Sequence, residues 1–594
     1  ASSDFDGKYA VRNVPPGTYR VRFSSISYKT QFIEGVAVKD GDKNIVINVV
    51  MEPSGGIQDT EVVIKAVRQT NTDASVVNEV HEAKAVVSGV SGTQAAKSQD
   101  NDAGAVVKRI PGVTIIENRF IMVRGLNERY NNVWLNDAGA PSMETDKRAF
   151  SFEMIPTGML DRILIYKTPS AELPGDFAGG MVKIYTKAFP DKMQVSVSYL
   201  TSDRAGTTFK PFYSTQGSST DKWGFDNGFR SVPAGSPEYF SHSSPTTNTD
   251  TKAFHNDWGI NSKSAIPDQR FSLMYAQPIH LKNGLDLGNT FGVSYSNTFL
   301  TYNVHRQDWD STGQIEDYSD AQSSQTVRTN AIENFSMLFG KNKLEFKNLI
   351  NQQGRDWVIQ RVSNYEAGPN EKAYVEGYES RLIYSSQLVG DHKSKSEKTE
   401  YNWTAGFAYT ERNEPDLRRI KYTKSRTADD SMYSAAIANT VDPVNGGGRF
   451  YAWQNERVYS FNQNLRHTFY IGKSDSTTRD RYHFSINVGS YSEYKSRQFI
   501  ARVLGYTINP GALAFNLKRL PLDRIFADEN VGIPGGFKMD EITSASDKYM
   551  AQNTQMAAYI SADVPIGKKI EVVGGARYEY NQQALQSFID LDSI

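Results

Sequence analysis

Over most of its second half the chain changes character at every second residue. In Tyr482–Gly489, Tyr, Phe, Ile and Val fall on one face and His, Ser, Asn and Gly on the other. Trp403, Ala405, Phe407 and Tyr409 alternate with Thr404, Gly406, Ala408 and Thr410, and the residues from Ile570 to Glu579 repeat the pattern. A period of two with one apolar and one polar face is a strand's signature, and it suits a strand held between lipid and a wet lumen. A sandwich strand reads the same way, so the connections have to decide. Short ones at Leu281–Gly284, Gly340–Lys343, Gly390–Lys398, Gly472–Asp480 and Pro565–Lys569 alternate with long polar stretches around 203–267, 300–326, 354–376, 412–455 and 498–548. Short turns at one end and long loops at the other mark a membrane β-barrel, and a sandwich has no reason to keep that asymmetry.

This reading gives one strand from Met193 and ten more in five hairpins. Closed bacterial barrels have even counts, so eleven strands are an incomplete barrel and the chain is expected to continue beyond Ile594; the largest plugged barrels, with about 22 strands, would make this about half, as the resemblance given below implies. The composition agrees: 45 Gly, 32 Tyr and 30 Phe in 594 residues, with a net charge of −1 that favours no nucleic-acid partner. Cysteine is absent, which removes thiolate metal sites, disulfides and Cys nucleophiles. No secretory leader is read at Ala1, as expected of a mature or trimmed chain.

Upstream of the barrel the character is different. Residues 1–53 read as an N-terminally incomplete β-sandwich, with strands at Lys8–Val11, Tyr19–Ser24, Val36–Val38 and Ile45–Met51 around the turn Pro15-Pro16-Gly17. Residues 54–102 are a polar linker with a helix near Val77–Val87. Within it, Thr60, Glu61, Val62, Val63, Ile64, Lys65 and Ala66 form a short β-prone segment of the kind that adds as an extra strand to a partner's sheet edge. Residues 103–190 hold a helix ending at Ile110-Pro111-Gly112. Strands Phe120–Val123, Asn132–Leu135, Ile163–Tyr166 and Met181–Thr186 follow. Residues 191–594 are the barrel.

The wording VRGLNERYNNVWLND, RAFSFEMIP and GDFAGGMVKIYTK resembles the plug domain of TonB-dependent outer-membrane receptors, on the branch tied to carbohydrate uptake. GKYAVRNVPPGTYRVRFSSISYKT is similar to the carboxypeptidase-regulatory-like domain that precedes the plug in Bacteroidetes-type receptors. The resemblance implies a mainly β protein: sandwich fragment, α/β plug and transmembrane antiparallel barrel. It also implies TonB-driven import of a large or scarce nutrient, and Thr60–Ala66 as the TonB box. Implied partners are TonB with its inner-membrane energising complex and outer-membrane lipids; a surface lipoprotein or other outer-membrane subunits stay open, since Asn136-Asp137-Ala138-Gly139 departs from the wording of starch-utilisation-type plugs, which have such a lipoprotein lid. A receptor-like barrel serving as scaffold of an assembly or secretion complex stays open as the alternative.

No catalytic motif is found: Gly-x-Ser-x-Gly, the P-loop and His-Glu-x-x-His are all missing. Arg124 and Gly125 close a plug strand, and the resemblance implies that this Arg enters buried ion pairs with the wall. Gly175, Gly179 and Gly180 read as positions needing positive φ or close approach. Asn127, Arg129 and Tyr130, with Met143, Asp146 and Arg148, are expected to face a ligand. In the stretch 308–316, Asp308, Asp310, Thr312, Gln314 and Glu316 follow a calcium-loop spacing with Gly313 at the turn. Position twelve is Ser319 rather than an acid, so Asp317 or Asp320 would have to complete the set for Ca²⁺. No other cofactor is required.

Overall fold

The computed structural model describes residues 9, 11, 14–24, 31–38, 45–47, 49–51, 70–98, 100, 102–117, 119–144, 147, 149–187, 189–190, 192–240, 248–281, 284–365, 368–425, 432–471, 482–510, 513–566 and 570–588. Two compact units divide at Arg68/Gln69. In the first, β1 (Gly17–Phe23) pairs antiparallel with β2 (Gln31–Val38). Tyr9 and Val11 lie outside any strand, as do the described residues among 45–51.

The second unit opens with α1 (Asp73–Glu82), capped by Thr72, whose side chain accepts from the Ser75 amide. The expected helix near Val77–Val87 therefore begins and ends earlier: Val87 already starts β3 (Val87–Ser91). Two short helices follow, α2 (Gly92–Lys97) and α3 (Ala103–Val107), then strands β4 (Val113–Ile116), β5 (Phe120–Val123), β6 (Asn132–Leu135), β7 (Ala138–Gly139), β8 (Leu160–Tyr166) and β9 (Met181–Thr186). One sheet runs β3-β8-β9-β6-β7, while β4 and β5 form a separate hairpin. The β6–β7 turn puts Asn136 and Asp137 at φ 50° and 63°, the left-handed pair that a two-residue hairpin turn demands. Asp137 is then held by Lys183 Nζ and by the Tyr185 hydroxyl, each at 2.9 Å.

Most of the rest is one 13-stranded antiparallel sheet. Its main path follows chain order through β10 (Gln194–Ser202), β13 (Asp268–His280), β14 (Leu285–Asp310), β15 (Gly313–Phe339), β16 (Asn342–Ser363), β17 (Asn370–Lys393), β18 (Thr399–Lys424), β20 (Gly446–Ile471), β21 (Tyr482–Ile508), β23 (Lys548–Ile566) and β24 (Ile570–Ser587). Two side strands, β19 (Ser434–Ala435) on β18 and β22 (Phe537–Glu541) on β21, complete the thirteen, while β11 (Pro211–Ser214) and β12 (Asn261–Ser264) pair antiparallel as a separate two-stranded sheet. Among the described residues no ladder joins β10 to β24.

The expected alternation appears as two distinct faces. Asn351, Ile383, Thr410, Glu456 and Tyr491 point to the plug, so Ile350, Tyr384, Phe407, Tyr459 and Tyr494 point away. The outward rings form a ladder at one level, Tyr384–Phe407–Tyr459–Tyr494, with centroids 5.2–6.5 Å apart. A second aromatic level lies toward the short turns, where Phe469 stacks on Phe484. From Tyr459 to Phe469 the strand rises roughly 33 Å, about 25 Å once tilted, which is the height of a bilayer's apolar band between aromatic girdles.

One expectation needs correcting. The stretches 300–326 and 354–376 are not long loops: β14 and β15 run on to a tight turn at Asp310–Gly313, and β16 and β17 nearly meet at 364–369. From β14 to β21 the strands of the main path are 22–27 residues long, whereas roughly 9–11 residues cross a bilayer. Half or more of each strand therefore stands beyond the apolar band. There the outward face no longer meets lipid, and the alternation loses its contrast.

Candidate functional site

The plug is fastened to the sheet mainly by polar groups. After β7 the chain runs against the sheet at Ser142–Glu144. The Ser142 amide donates to Glu456 Oε1 at 3.0 Å, and Thr410 Oγ1 donates to the Ser142 carbonyl at 3.3 Å. Arg497 and Gln454 donate to the Glu144 carbonyl at 2.8 and 3.4 Å. The Glu144 carboxylate meets Arg381 at 3.2 Å, and Arg381 also holds Glu379 at 3.0 Å, which Arg412 grips from the other side. Burial alone would raise the Glu379 carboxyl, but Arg381 and Arg412 outweigh it and hold it down at about 2. A second bridge joins plug Glu153 to Arg328 at 2.8 Å, with Gln353 orienting the same guanidinium.

Nearer the short turns the fastening continues. Asn351 donates to the Met154 carbonyl, Asn136 to Gln387 at 3.1 Å, and the Gly175 amide to Glu579 at 3.0 Å. Lys84 pairs with Glu571 at 2.6 Å. Trp134 stacks on Tyr491 with centroids 5.1 Å apart. Apolar packing crosses the same boundary: Ile332, Leu349 and Ile383 of the sheet complete the plug's own core beside Ile155, Met159 and Val182. At Gly406 a Cβ would lie 2.6 Å from the Ala138 Cβ, so plug and wall meet there at backbone distance.

The residues picked out in sequence divide accordingly. Arg124, at φ 56°, bonds the Gly179 and Ala178 carbonyls at 3.0 and 2.7 Å, both within the plug. The implied ion pair with the wall is thus corrected: Glu144 and Glu153 carry that role with Arg381 and Arg328. Gly125 needs its φ of +75°, while Gly175, Gly179 and Gly180 are close-approach positions. Only Gly175 approaches the wall, at Glu579; the other two face Asn131 and Val123 inside the plug.

Asn127, Arg129 and Tyr130 stay exposed on a short turn, with the Arg129 guanidinium 4.8 Å above the Tyr130 ring. Met143 is 1% exposed and belongs to the plug core, which corrects its assignment as ligand-facing. Asp146, Arg148 and the segment Thr60–Ala66 lie outside the described residues.

The stretch 308–316 is a hairpin tip. Asp308 faces Glu316 across the ladder, Asp310 accepts from the Thr312 amide and hydroxyl, and Gln314 donates to Asp317 at 3.1 Å. Among the described residues no group of three or more His, Asp or Glu is placed to hold a metal ion.

Residues 79–182 match the TonB-dependent receptor plug domain, and residues 1–52 the carboxypeptidase regulatory-like domain. No curated protein matches the chain. Among solved structures it is similar to the unliganded ferric citrate transporter FecA, at 9% identity and TM-score 0.27 over 86% of this chain and 75% of that one. It is also similar to the RagAB peptide transporter, at 8% and 0.31 over 85% and 74%. A third is BauA, the ferric preacinetobactin receptor from Acinetobacter baumannii, at 11% and 0.32 over 85% and 76%. Likeness at that level says nothing of this chain's ligand. A TonB-dependent receptor plug domain at residues 79–182 is thus fastened to one face of an antiparallel sheet whose other face carries a bilayer-high apolar band.

Proposed function

We propose that this receptor imports a large or scarce nutrient, a carbohydrate above other classes, across the outer membrane at the expense of TonB. The observation that carries the reading is the contrast within the plug. Its flanks are bonded to the wall through Ser142, Glu144 and Glu153, while Asn127, Arg129 and Tyr130 are left exposed. An exposed ring beside amide and guanidinium donors suits a sugar, which offers an apolar ring face and a rim of hydroxyls. Release of the flank bonds would open the path, and Thr60–Ala66 is the segment that TonB would take as an added strand.

The test replaces Val63 by Pro, which removes a donor from that strand. Uptake of a labelled oligosaccharide should stop while binding at the cell surface persists. Undiminished uptake would sink the energised reading, and stoichiometric co-purification with other outer-membrane subunits would favour a scaffold. Tyr130→Ala should weaken surface binding of the oligosaccharide without changing receptor abundance.

A further inference from the structure

Beyond the apolar band, the outward face of the sheet does not stay bare. The long segment after β10 leaves the sheet, crosses that outer face, and returns only at β13. Its course is marked by its bonds. Thr207 exchanges hydrogen bonds with Thr301, Phe212 packs edge-on to Phe299 at 5.2 Å, and the Tyr213 amide donates to Ser323. Thr329 holds the Trp223 carbonyl at 3.2 Å, Gln352 holds that of Gly224 at 2.6 Å, and Arg230 lies over Tyr378 at 4.2 Å. Farther round, Arg418 and Arg449 take the His255 carbonyl at 2.9 and 2.6 Å, and the Phe240 amide donates to Glu541.

Every one of these sheet residues from β14 to β21 is on the outward face by the ladder register. Exposure along single strands shows the change of cover. On β16 it falls from 44% at Ile350 to 0% at Val358, and on β20 from 50% at Tyr459 to 8% at Tyr451. Phe240, Phe254 and Trp258 of the segment close an apolar cluster over Tyr451, Leu504 and Tyr506. The segment is a collar around the outside of the wall.

The collar's lowest point is its most informative part. Trp223 and Gly224 sit on Thr329, Gln352 and Tyr295, one ladder step beyond Ile350 and the last of the lipid-facing residues. Gly224 has φ +91°, and a Cβ there would lie 2.9 Å from the Gly354 amide nitrogen, so the collar is laid flat on the wall at this spot. Yet its neighbours Lys222, Trp223 and Phe225 all remain exposed, the two rings at 50% and 42%. Large rings beside a cation, directly above an apolar band, are what the boundary between lipid headgroups and chains selects.

We infer that the collar rests on the outer leaflet, with Trp223 and Phe225 entering the headgroup–chain boundary and Lys222 meeting lipid phosphate. The occupant is the lipid surface itself, because the patch continues the band that the wall already gives to lipid. The inference goes beyond nutrient import and does not depend on it.

The chain has no cysteine, so Phe225→Cys provides a single attachment point for a nitroxide. Leu465→Cys, in the band, and Trp309→Cys, at the far hairpin tip, serve as lipid and water references. The full receptor is reconstituted in vesicles of phosphatidylethanolamine and lipopolysaccharide, and collisions with oxygen and with a neutral nickel chelate are measured. A label at 225 that is immersed should meet the chelate about 5-fold less often than one at 309, given an entry of roughly 5–10 Å. Adding Trp223→Ser should raise that frequency toward the value at 309. A label at 225 as accessible as that at 309, with 465 protected, overturns the inference and leaves the barrel standing. Chelate access at 465 as well would overturn both.

Discussion

Arg381 is the residue whose loss should release the plug most. It is 3% exposed and serves two carboxylates, Glu144 from the plug and Glu379 from its own strand. Replacing it by Gln leaves Glu144 buried, with Arg119 at 3.6 Å the one other cation in reach among the described residues, while Glu379 keeps Arg412. Removing one partner of a buried pair costs about 3–5 kcal/mol, mostly the penalty of the stranded charge. The reciprocal change, Glu144→Gln, strands nothing: Arg381 still holds Glu379, and the backbone bonds from Arg497 and Gln454 to residue 144 survive. That change should cost only about 1.5 kcal/mol, one charge-assisted hydrogen bond. Amide exchange over the plug segment 142–154 in detergent micelles, followed by mass spectrometry, reads the difference. Exchange should quicken roughly 10-fold for Glu144→Gln and on the order of 10³-fold for Arg381→Gln, since each 1.4 kcal/mol is a factor of ten. Equal effects, or a larger one for Glu144→Gln, would refute the account, because they would mean that Glu379 alone does not satisfy Arg381.

Two further outcomes follow from the same geometry. Gly406→Val places a branched side chain where a Cβ alone would lie 2.6 Å from the Ala138 Cβ. Overpacking there should cost about 1–3 kcal/mol and be seen as a lowered melting temperature, whereas Gly574→Val, at a site open around the glycine, should not lower it. Glu376, on the outward face beyond the band and under the collar, has both carboxylate oxygens buried without a hydrogen bond. Burial, with Asp416, Asp356 and Asp257 nearby, outweighs Arg418 and pushes its carboxyl up to about 8 from the ordinary 4.5. The folded state then holds a proton that the unfolded chain gives up, so stability falls as pH rises from about 4.5 to about 8. Glu376→Gln should abolish that loss, and melts at pH 5 and pH 8.5 in detergent will show whether the wild-type difference disappears.

Much of this architecture is legible in the alternation, because the sheet's two faces meet opposite solvents. Thr404 and Thr410 turned inward and Phe407 outward as their spacing requires, and the eleven strands of the main path equal the number read from the turns. The reading failed where the solvent contrast ended. Past Tyr384 and Tyr459 the outward face meets a protein collar, which accepts Glu376, Arg418 and Arg449 as readily as Tyr451. A strand there looks like a polar loop. The collar's placement has no local mark at all, since it is set by long-range contacts such as Phe212 on Phe299. Plug Glu144 and Glu153 carry no mark in the sequence because their partners lie far away along the chain. Arg124 was misjudged for the opposite reason: carbonyl acceptors leave no trace in residue identity.

The three sheet residues that finish the plug's core, Ile332, Leu349 and Ile383, also set an order of events in biogenesis. A plug made alone would present an apolar flank to the periplasm and lack the side chains that cover it. Folding that brings β15–β17 against the plug early would cover that flank, so the two parts are expected to gain protection together.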